Sequence, residues 1–105
     1  MKMIKQQLYL ITCAVGLMLP MAGAHAEVDK HARNLAASCA ACHGTNGHSV
    51  GGTAVLAGMD RELFVAQMKA FKSGARPATV MHQHAKGYTD EEFELLGAFF
   101  AAQKR

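Results

Sequence analysis

The sequence has 105 residues and a formal net charge of +3 with its histidines neutral, and from residue 27 onwards nine basic residues face eight acidic ones. So small an excess of positive charge argues against a nucleic-acid-binding protein, for which a strongly basic face is expected. The length leaves room for one domain, and a domain this small usually needs a disulfide, a metal or another staple to be stable.

Residues 1–26 have the pattern of a secretory signal peptide. Lys2 and Lys5 precede an apolar run over residues 8–19, and Ala24-His25-Ala26 places small residues at the two positions that mark a cleavage site. We therefore expect export to the periplasm, cleavage after Ala26, and a mature domain over residues 27–105.

Two other fates of this segment stay open. A retained membrane anchor would need roughly 20 apolar residues, and the run has 12. A lipoprotein would be anchored at Cys13, but Thr12 is a poor residue just before such a cysteine, and the apolar run continues past it. We expect no membrane span in the mature chain.

The mature chain predicts three helices and no sheet. The first begins at Asp29, a good N-cap, and runs through Cys42. The second has Asp60 as its N-cap and ends at Gly74, and the third follows Thr89, which opens a capping box. No run alternates with a period of two, so the expected fold class is all-α.

Two long loops connect these helices. Residues 44–58 contain five glycines and show no helical period, and residues 75–88 contain a proline, two histidines and a glycine. Loops of this length in a small domain are usually functional or wrapped around a ligand. Because three short helices alone would make a poor core, we expect both loops to enclose something bulky and apolar.

The motif Cys39-Ala40-Ala41-Cys42-His43 is the attachment signature of a c-type haem. Two thiols three residues apart can reach the two vinyl groups of the haem from one turn of helix, and the adjacent histidine is then delivered beneath the iron. We therefore expect one haem c, bound covalently through Cys39 and Cys42, with His43 as an axial iron ligand. Covalent haem attachment outside the cytoplasm also agrees with the predicted export.

Three other interpretations of the cysteine pair are weaker. A thioredoxin-type redox disulfide would have a βαβ pattern nearby, which is absent from the sequence. A zinc site would need a second ligand pair, for which His82 and His84 are irregularly spaced. A structural disulfide between residues three apart would close too small a loop to stabilise much.

The second loop offers candidates for the sixth iron ligand. Met81 follows an apolar stretch and is the favoured ligand, since histidine plus methionine ligation raises the reduction potential. His82 and His84 are the alternatives, and His31 and His48 are expected on the surface. With both axial positions filled, the haem would pass single electrons; a gas sensor would instead need an open or labile sixth position.

Several stretches resemble the class I c-type cytochromes, in particular the cytochrome c4 and c553 branch: LAASCAACHG, LAG, QMKAFKSGARP, TVM and KGYTDEEFELLGAFFAAQ. The resemblance covers residues 31–103. It implies a small class I cytochrome c fold, with three main helices and two long loops around one haem, His43 proximal and Met81 distal.

Within this family the stretch RPATVM…AKGY resembles the monohaem cytochrome subunit of flavocytochrome c sulfide dehydrogenase. That similarity implies an FAD-containing partner that oxidises sulfide, with this chain as its non-catalytic haem subunit. The alternative is a free monohaem carrier that shuttles electrons between respiratory partners. A mature chain with little net charge favours stable docking, because shuttles more often have a strong charge asymmetry.

One position departs from the family pattern. The family usually has proline two residues before LAG, where its carbonyl accepts a hydrogen bond from the proximal imidazole, and this chain has Ala54. Ala54 still has a carbonyl, but the loop is less rigid, which leaves the orientation of His43 open.

Further residues are expected around the haem. Tyr88 and Arg76 are candidates to hydrogen-bond the haem propionates, with a packed tyrosine and a solvated arginine as the alternative. Four lysines, scattered over the helices and loops, could ring the haem edge and attract an acidic partner, although solvated lysines are the commoner case. They are Lys69, Lys72, Lys86 and Lys104.

Overall fold

A computed structural model of the chain describes residues 30–105, and this part contains helices and no β-strand, which confirms the all-α prediction. The first helix, α1, covers residues 30–36, and a 3₁₀ turn leads from it into the second helix. The bounds of the later helices are α2 Ala40–His43, α3 Arg61–Ser73, α4 Met81–Lys86 and α5 Asp90–Ala101.

The helix ends follow the predicted caps. Asp60 Oδ1 accepts a hydrogen bond from the Leu63 N–H at 2.9 Å, and Gly74 ends α3 in the left-handed conformation with φ 81°. At α5, the Glu92 N–H donates to Thr89 Oγ1 at 3.1 Å, and the Thr89 N–H donates to Glu92 Oε2 at 2.8 Å. The signal peptide predicted for residues 1–26, and the predicted N-cap Asp29, lie outside the described residues.

The second predicted loop is wrong in one respect, because it contains α4. This helix has six residues, too few for a helical period to be seen between Pro77 and Gly87. Packing explains its presence: Ala85 is fully buried in the core that α4 shares with α3 and α5. The first predicted loop is correct apart from one 3₁₀ turn, Thr45–Gly47.

The core lies where α5 crosses α3. Phe93, Leu96 and Phe100 of α5 are almost completely buried, and the Phe64 ring of α3 lies 5.5 Å from the Phe100 ring. Each such side chain contributes about 1.5–3 kcal/mol when fully buried. Within the described residues, no helix is long and apolar enough to cross a membrane.

Gly97 lets the two helices approach closely. A Cβ at this position would lie 3.2 Å from Arg61 O and 3.3 Å from Val65 Cγ2. Because α3 is held this close to α5, its opposite face is free to form one wall of a cleft.

Candidate haem-binding site

A cleft of about 390 Å³ lies between the end of α2, the loop after it, α3 and α4. Its volume falls in the range of ligand-binding pockets, roughly 300–1,000 Å³. Both predicted loops contribute to its lining, as the sequence indicated. Its wall is mainly apolar, with side chains from Leu56, Met59, Phe64, Met68 and Phe71.

Cys39 and Cys42 both line this cleft, and both are free thiols. The intervening helical turn presents them to the same cavity with Cys39 partly buried and Cys42 exposed. Burial raises the pKa of the Cys39 thiol, and the neighbouring polar groups of Ser38 and Tyr88 offset part of that rise. The two thiols are therefore not joined as a disulfide and are available for covalent attachment.

His43 ends α2 and is buried against the same cleft. Its Nδ1 lies 2.6 Å from Ala54 O, and because a carbonyl oxygen can only accept, the ring carries its proton on Nδ1. The lone pair of a neutral ring is then on Nε2, which is the tautomer that a metal requires. Ala54 thus supplies the accepting carbonyl at the position where the family usually has proline.

Gly44 lies directly against the backbone of the turn that follows it. A Cβ on Gly44 would lie 2.5 Å from His48 O, and its φ of 79° already favours glycine. Glycine is required here so that the chain can turn back immediately after His43.

Among the predicted sixth ligands, Met81 and His84 border the cleft. Met81 is the first residue of α4, is partly buried and packs against the core. His84 is exposed, and His82 lines a second, smaller cavity on the other side of α4. A buried thioether contacts an apolar wall at little cost, so the placement favours Met81 over both histidines.

Tyr88 and Arg76, the predicted propionate donors, also line the cleft. The Tyr88 O–H donates to Leu35 O at 3.1 Å and accepts a hydrogen bond from Ser38 Oγ at 2.6 Å. Its single proton is therefore engaged with α1 in this arrangement. The Arg76 guanidinium lies 4.8 Å from the centre of the Phe71 ring. Contact of either residue with propionates stays a prediction.

Sequence reasoning missed the hydrogen bond between Ser38 and Tyr88 and the structural role of Lys72. Lys72 Nζ donates to Tyr88 O at 2.6 Å, lies 3.7 Å from Asp90 Oδ1 and sits 5.3 Å from the centre of the Phe93 ring. The charge of Lys72 thus joins α3 to the start of α5, a role that the sequence did not indicate, and attraction of a partner by these lysines stays a prediction. The other three lysines of that prediction are exposed.

The donors around the cleft fit a haem better than a bare metal ion. Across residues 30–105, no group of three or more His, Cys, Asp and Glu side chains could hold a metal ion. A covalently bound haem instead requires two thiols on one edge, an imidazole with a free Nε2, a thioether and an apolar wall. The cleft has all of these groups.

No family model matches this chain. Proteins similar to it include the cytochrome subunit of sulfide dehydrogenase of Chlorobaculum tepidum, 44% identical over 66 residues, which are 63% of this chain and 60% of that protein. The thiosulfate dehydrogenase electron acceptor of Stutzerimonas stutzeri is 36% identical over 69 residues, 64% of this chain and 32% of that protein. The chain thus spans less than two thirds of either relative. The similarity supports a c-type cytochrome that transfers electrons.

Proposed function

We propose that residues 27–105 form a periplasmic class I cytochrome with one haem c, bound covalently through Cys39 and Cys42, with His43 and Met81 as axial iron ligands. One observation carries this proposal. A buried imidazole, with its Nδ1–H donated to Ala54 O, borders the same apolar cleft as two free thiols and a methionine. When bound, the haem would supply a one-electron couple.

The residues of the chain act on that couple in two ways. The hydrogen bond to Ala54 O fixes the orientation of the His43 ring. It also makes the Nε2 lone pair a stronger electron donor to a metal. The apolar wall, which includes Phe64 and Met68, would keep water away from a haem bound in the cleft. Methionine as the second ligand raises the reduction potential, and with both axial positions occupied the site is suited to electron transfer and not to oxygen or peroxide chemistry.

For the partner, we favour an FAD-containing, sulfide-oxidising protein, with this chain as its electron-accepting haem subunit. The support is the 44% identity to a protein named as the cytochrome subunit of sulfide dehydrogenase, together with the stretch RPATVM…AKGY and the small net charge of residues 27–105. In this complex the chemistry on sulfide would belong to the flavoprotein, and this chain would carry the electrons away.

A free carrier is the second candidate. The relative from Stutzerimonas stutzeri is named as an electron acceptor of thiosulfate dehydrogenase. A carrier of this kind would meet its donor transiently instead of forming a stable complex.

The proposal is tested by producing the full 105-residue chain in a bacterium that matures c-type cytochromes. We expect a coloured periplasmic protein that begins at Glu27, with a mass increased by one haem that acidified organic solvent does not extract. The double substitution Cys39→Ser and Cys42→Ser should make the pigment extractable. A colourless protein, or a pigment that is extracted from the unsubstituted chain, would contradict the proposal.

The partner is tested separately with the same protein. We expect the untagged chain to co-purify with a flavin-containing polypeptide from its own source, and the haem of that complex to be reduced on addition of sulfide. Reduction by thiosulfate with its dehydrogenase, without stable co-purification, would support the free carrier instead.

A further inference from the structure

Ala54, whose carbonyl accepts the His43 hydrogen bond, lies in a segment with almost no packing of its own. Residues 50–55 are all exposed. A side chain starting at Gly51 or Gly52 would meet no atom within 4 Å. Because packing does not hold this segment, the position of the acceptor depends on the contacts at the two ends of residues 48–58.

At the first end, His48 ties the segment to the residues that follow α5. We name residues 102–105 the α5 extension. His48 Nε2 is within hydrogen-bond distance of Lys104 O, and His48 Nδ1 lies 3.1 Å from Thr45 O. A carbonyl oxygen can only accept, and a neutral ring has one N–H, so the shorter contact assigns that N–H to Nε2, which donates to Lys104 O across 56 positions of the chain.

At the second end, the segment is joined to the last turn of α5 and to the same extension. The Gly58 N–H donates to Phe100 O at 2.8 Å, and the Arg105 Nε–H donates to Ala57 O at 3.2 Å. The Arg105 side chain also packs on the bare backbone of Gly58, where a Cβ would lie 2.8 Å from Arg105 Cγ. Ala57 itself is fully buried.

We infer that His48 and Arg105 are positioning residues for His43. By holding both ends of residues 48–58 on α5 and its extension, they keep Ala54 O at hydrogen-bond distance from His43 Nδ1. This hydrogen bond increases electron donation from the ring to a metal. The redox consequence of this inference rests on the proposed function. When residues 48–58 loosen, the hydrogen bond between His43 and Ala54 weakens. The oxidised iron is then stabilised less, so the reduction potential rises.

A matched pair of substitutions isolates the hydrogen bond of Arg105. Glutamine places an N–H donor the same number of bonds from the backbone as Arg105 Nε, whereas methionine has a similar length and no donor. Both remove the charge, so Arg105→Gln and Arg105→Met differ mainly in the bond to Ala57 O. His48→Ala removes the other tie, and Arg33→Met, at an exposed arginine of α1, is the control for loss of an arginine.

The measurement is the exchange of the His43 Nδ1–H with solvent, followed by nitrogen-15 NMR on the reduced haem protein, together with the reduction potential. For Arg105→Met combined with His48→Ala we expect exchange at least about tenfold faster, an opening easier by about 1.4 kcal/mol. We also expect a higher potential and little change in the exchange of the α3 backbone amides. Arg105→Gln should stay close to the parent protein.

Three results would overturn the inference. The first is unchanged His43 exchange in the double variant, the second is equal exchange in Arg105→Met and Arg105→Gln, and the third is the same acceleration in Arg33→Met. If the double variant does not fold, the comparison of Arg105→Met with Arg105→Gln decides the question alone. A protein without haem would contradict the proposed function, whereas a haem protein with unchanged exchange contradicts this inference only.

Discussion

His43 and Ala54 are joined by a hydrogen bond of 2.6 Å between the ring Nδ1 and the backbone carbonyl. The bond links the last residue of α2 to an exposed segment eleven residues later, and it leaves the Nε2 lone pair available. The donor comes from the haem-attachment motif, and the acceptor comes from a loop without regular structure.

Ala54→Pro should stabilise the protein without disturbing this bond. The Ala54 N–H donates to no backbone acceptor in the described part of the chain, so proline removes no hydrogen bond there. Its restricted φ lowers the conformational entropy of the unfolded chain, and we expect a gain of about 0.4–1 kcal/mol in the free energy of unfolding. Denaturant unfolding of the two proteins measures this gain, and a loss would mean that the backbone at residue 54 does not accept proline.

Met81→Ala should abolish the sulfur-to-iron charge-transfer band of the oxidised protein, because Met81 is the proposed thioether ligand. The control is Met59→Leu, since Met59 borders the same cleft and is also partly buried. We expect that control to keep the band. Met81→His should keep the iron six-coordinate and lower the reduction potential, since histidine replaces the thioether. A band that persists in Met81→Ala would rule out Met81 as the ligand.

In the haem-free chain, iodoacetamide should modify Cys42 before Cys39. Burial raises the pKa of the Cys39 thiol. At any pH below that pKa, burial therefore lowers the fraction of Cys39 that is present as the reactive thiolate. Raising the pH should therefore narrow the difference. Peptide mass spectrometry after timed quenching measures both rates, and the urea-unfolded chain, where they should converge, is the control. Equal rates in the folded chain would contradict the placement of Cys39.

Lys72→Met should lower the free energy of unfolding by about 1–2 kcal/mol. Methionine keeps the apolar contact with Phe93 but loses the hydrogen bond to Tyr88 O. Hydrogen bonds to charged groups contribute about 1.5–3 kcal/mol, and the partial exposure of Lys72 places the effect towards the lower end. Lys69→Met, at an exposed lysine of the same helix, should change stability by less than about 0.5 kcal/mol. Similar losses in both variants would contradict a structural role for Lys72.

Gly97→Val should separate α5 from α3 and destabilise the protein by about 1–3 kcal/mol. A Cβ at this position already lies 3.2 Å from Arg61 O, and the backbone of α3 cannot move away as a side chain would. Ala98→Val puts the same β-branched residue at the next, exposed position of α5 and controls for helix propensity. If both variants unfold at the same denaturant concentration, α3 and α5 do not pack closely enough at residue 97 to require glycine there.

The features that could be predicted from the sequence depend on nearby residues. Asp60 and Thr89 cap their helices through side chains that reach a backbone group three residues away, and Gly74 adopts the left-handed conformation that glycine favours. The cysteines of the attachment motif reach one cleft because they are three residues apart on a helical turn. α4, in contrast, could not be predicted from nearby residues. Met81–Lys86 is too short to show a helical period, and this helix depends on burial of Ala85 by α3.

By itself, the sequence determined α3 and α5 with their caps, the thiol pair and the adjacent imidazole, all of which depend on residues a few positions apart. Only the tertiary structure decided that the Ala54 carbonyl accepts the His43 hydrogen bond without a proline at that position, that the Tyr88 O–H donates to Leu35 O, and that Lys72 joins α3 to the start of α5. These contacts join residues 11, 53 and 16 positions apart. Their geometry depends on how the helices pack against the two loops, which a local pattern in the chain does not determine.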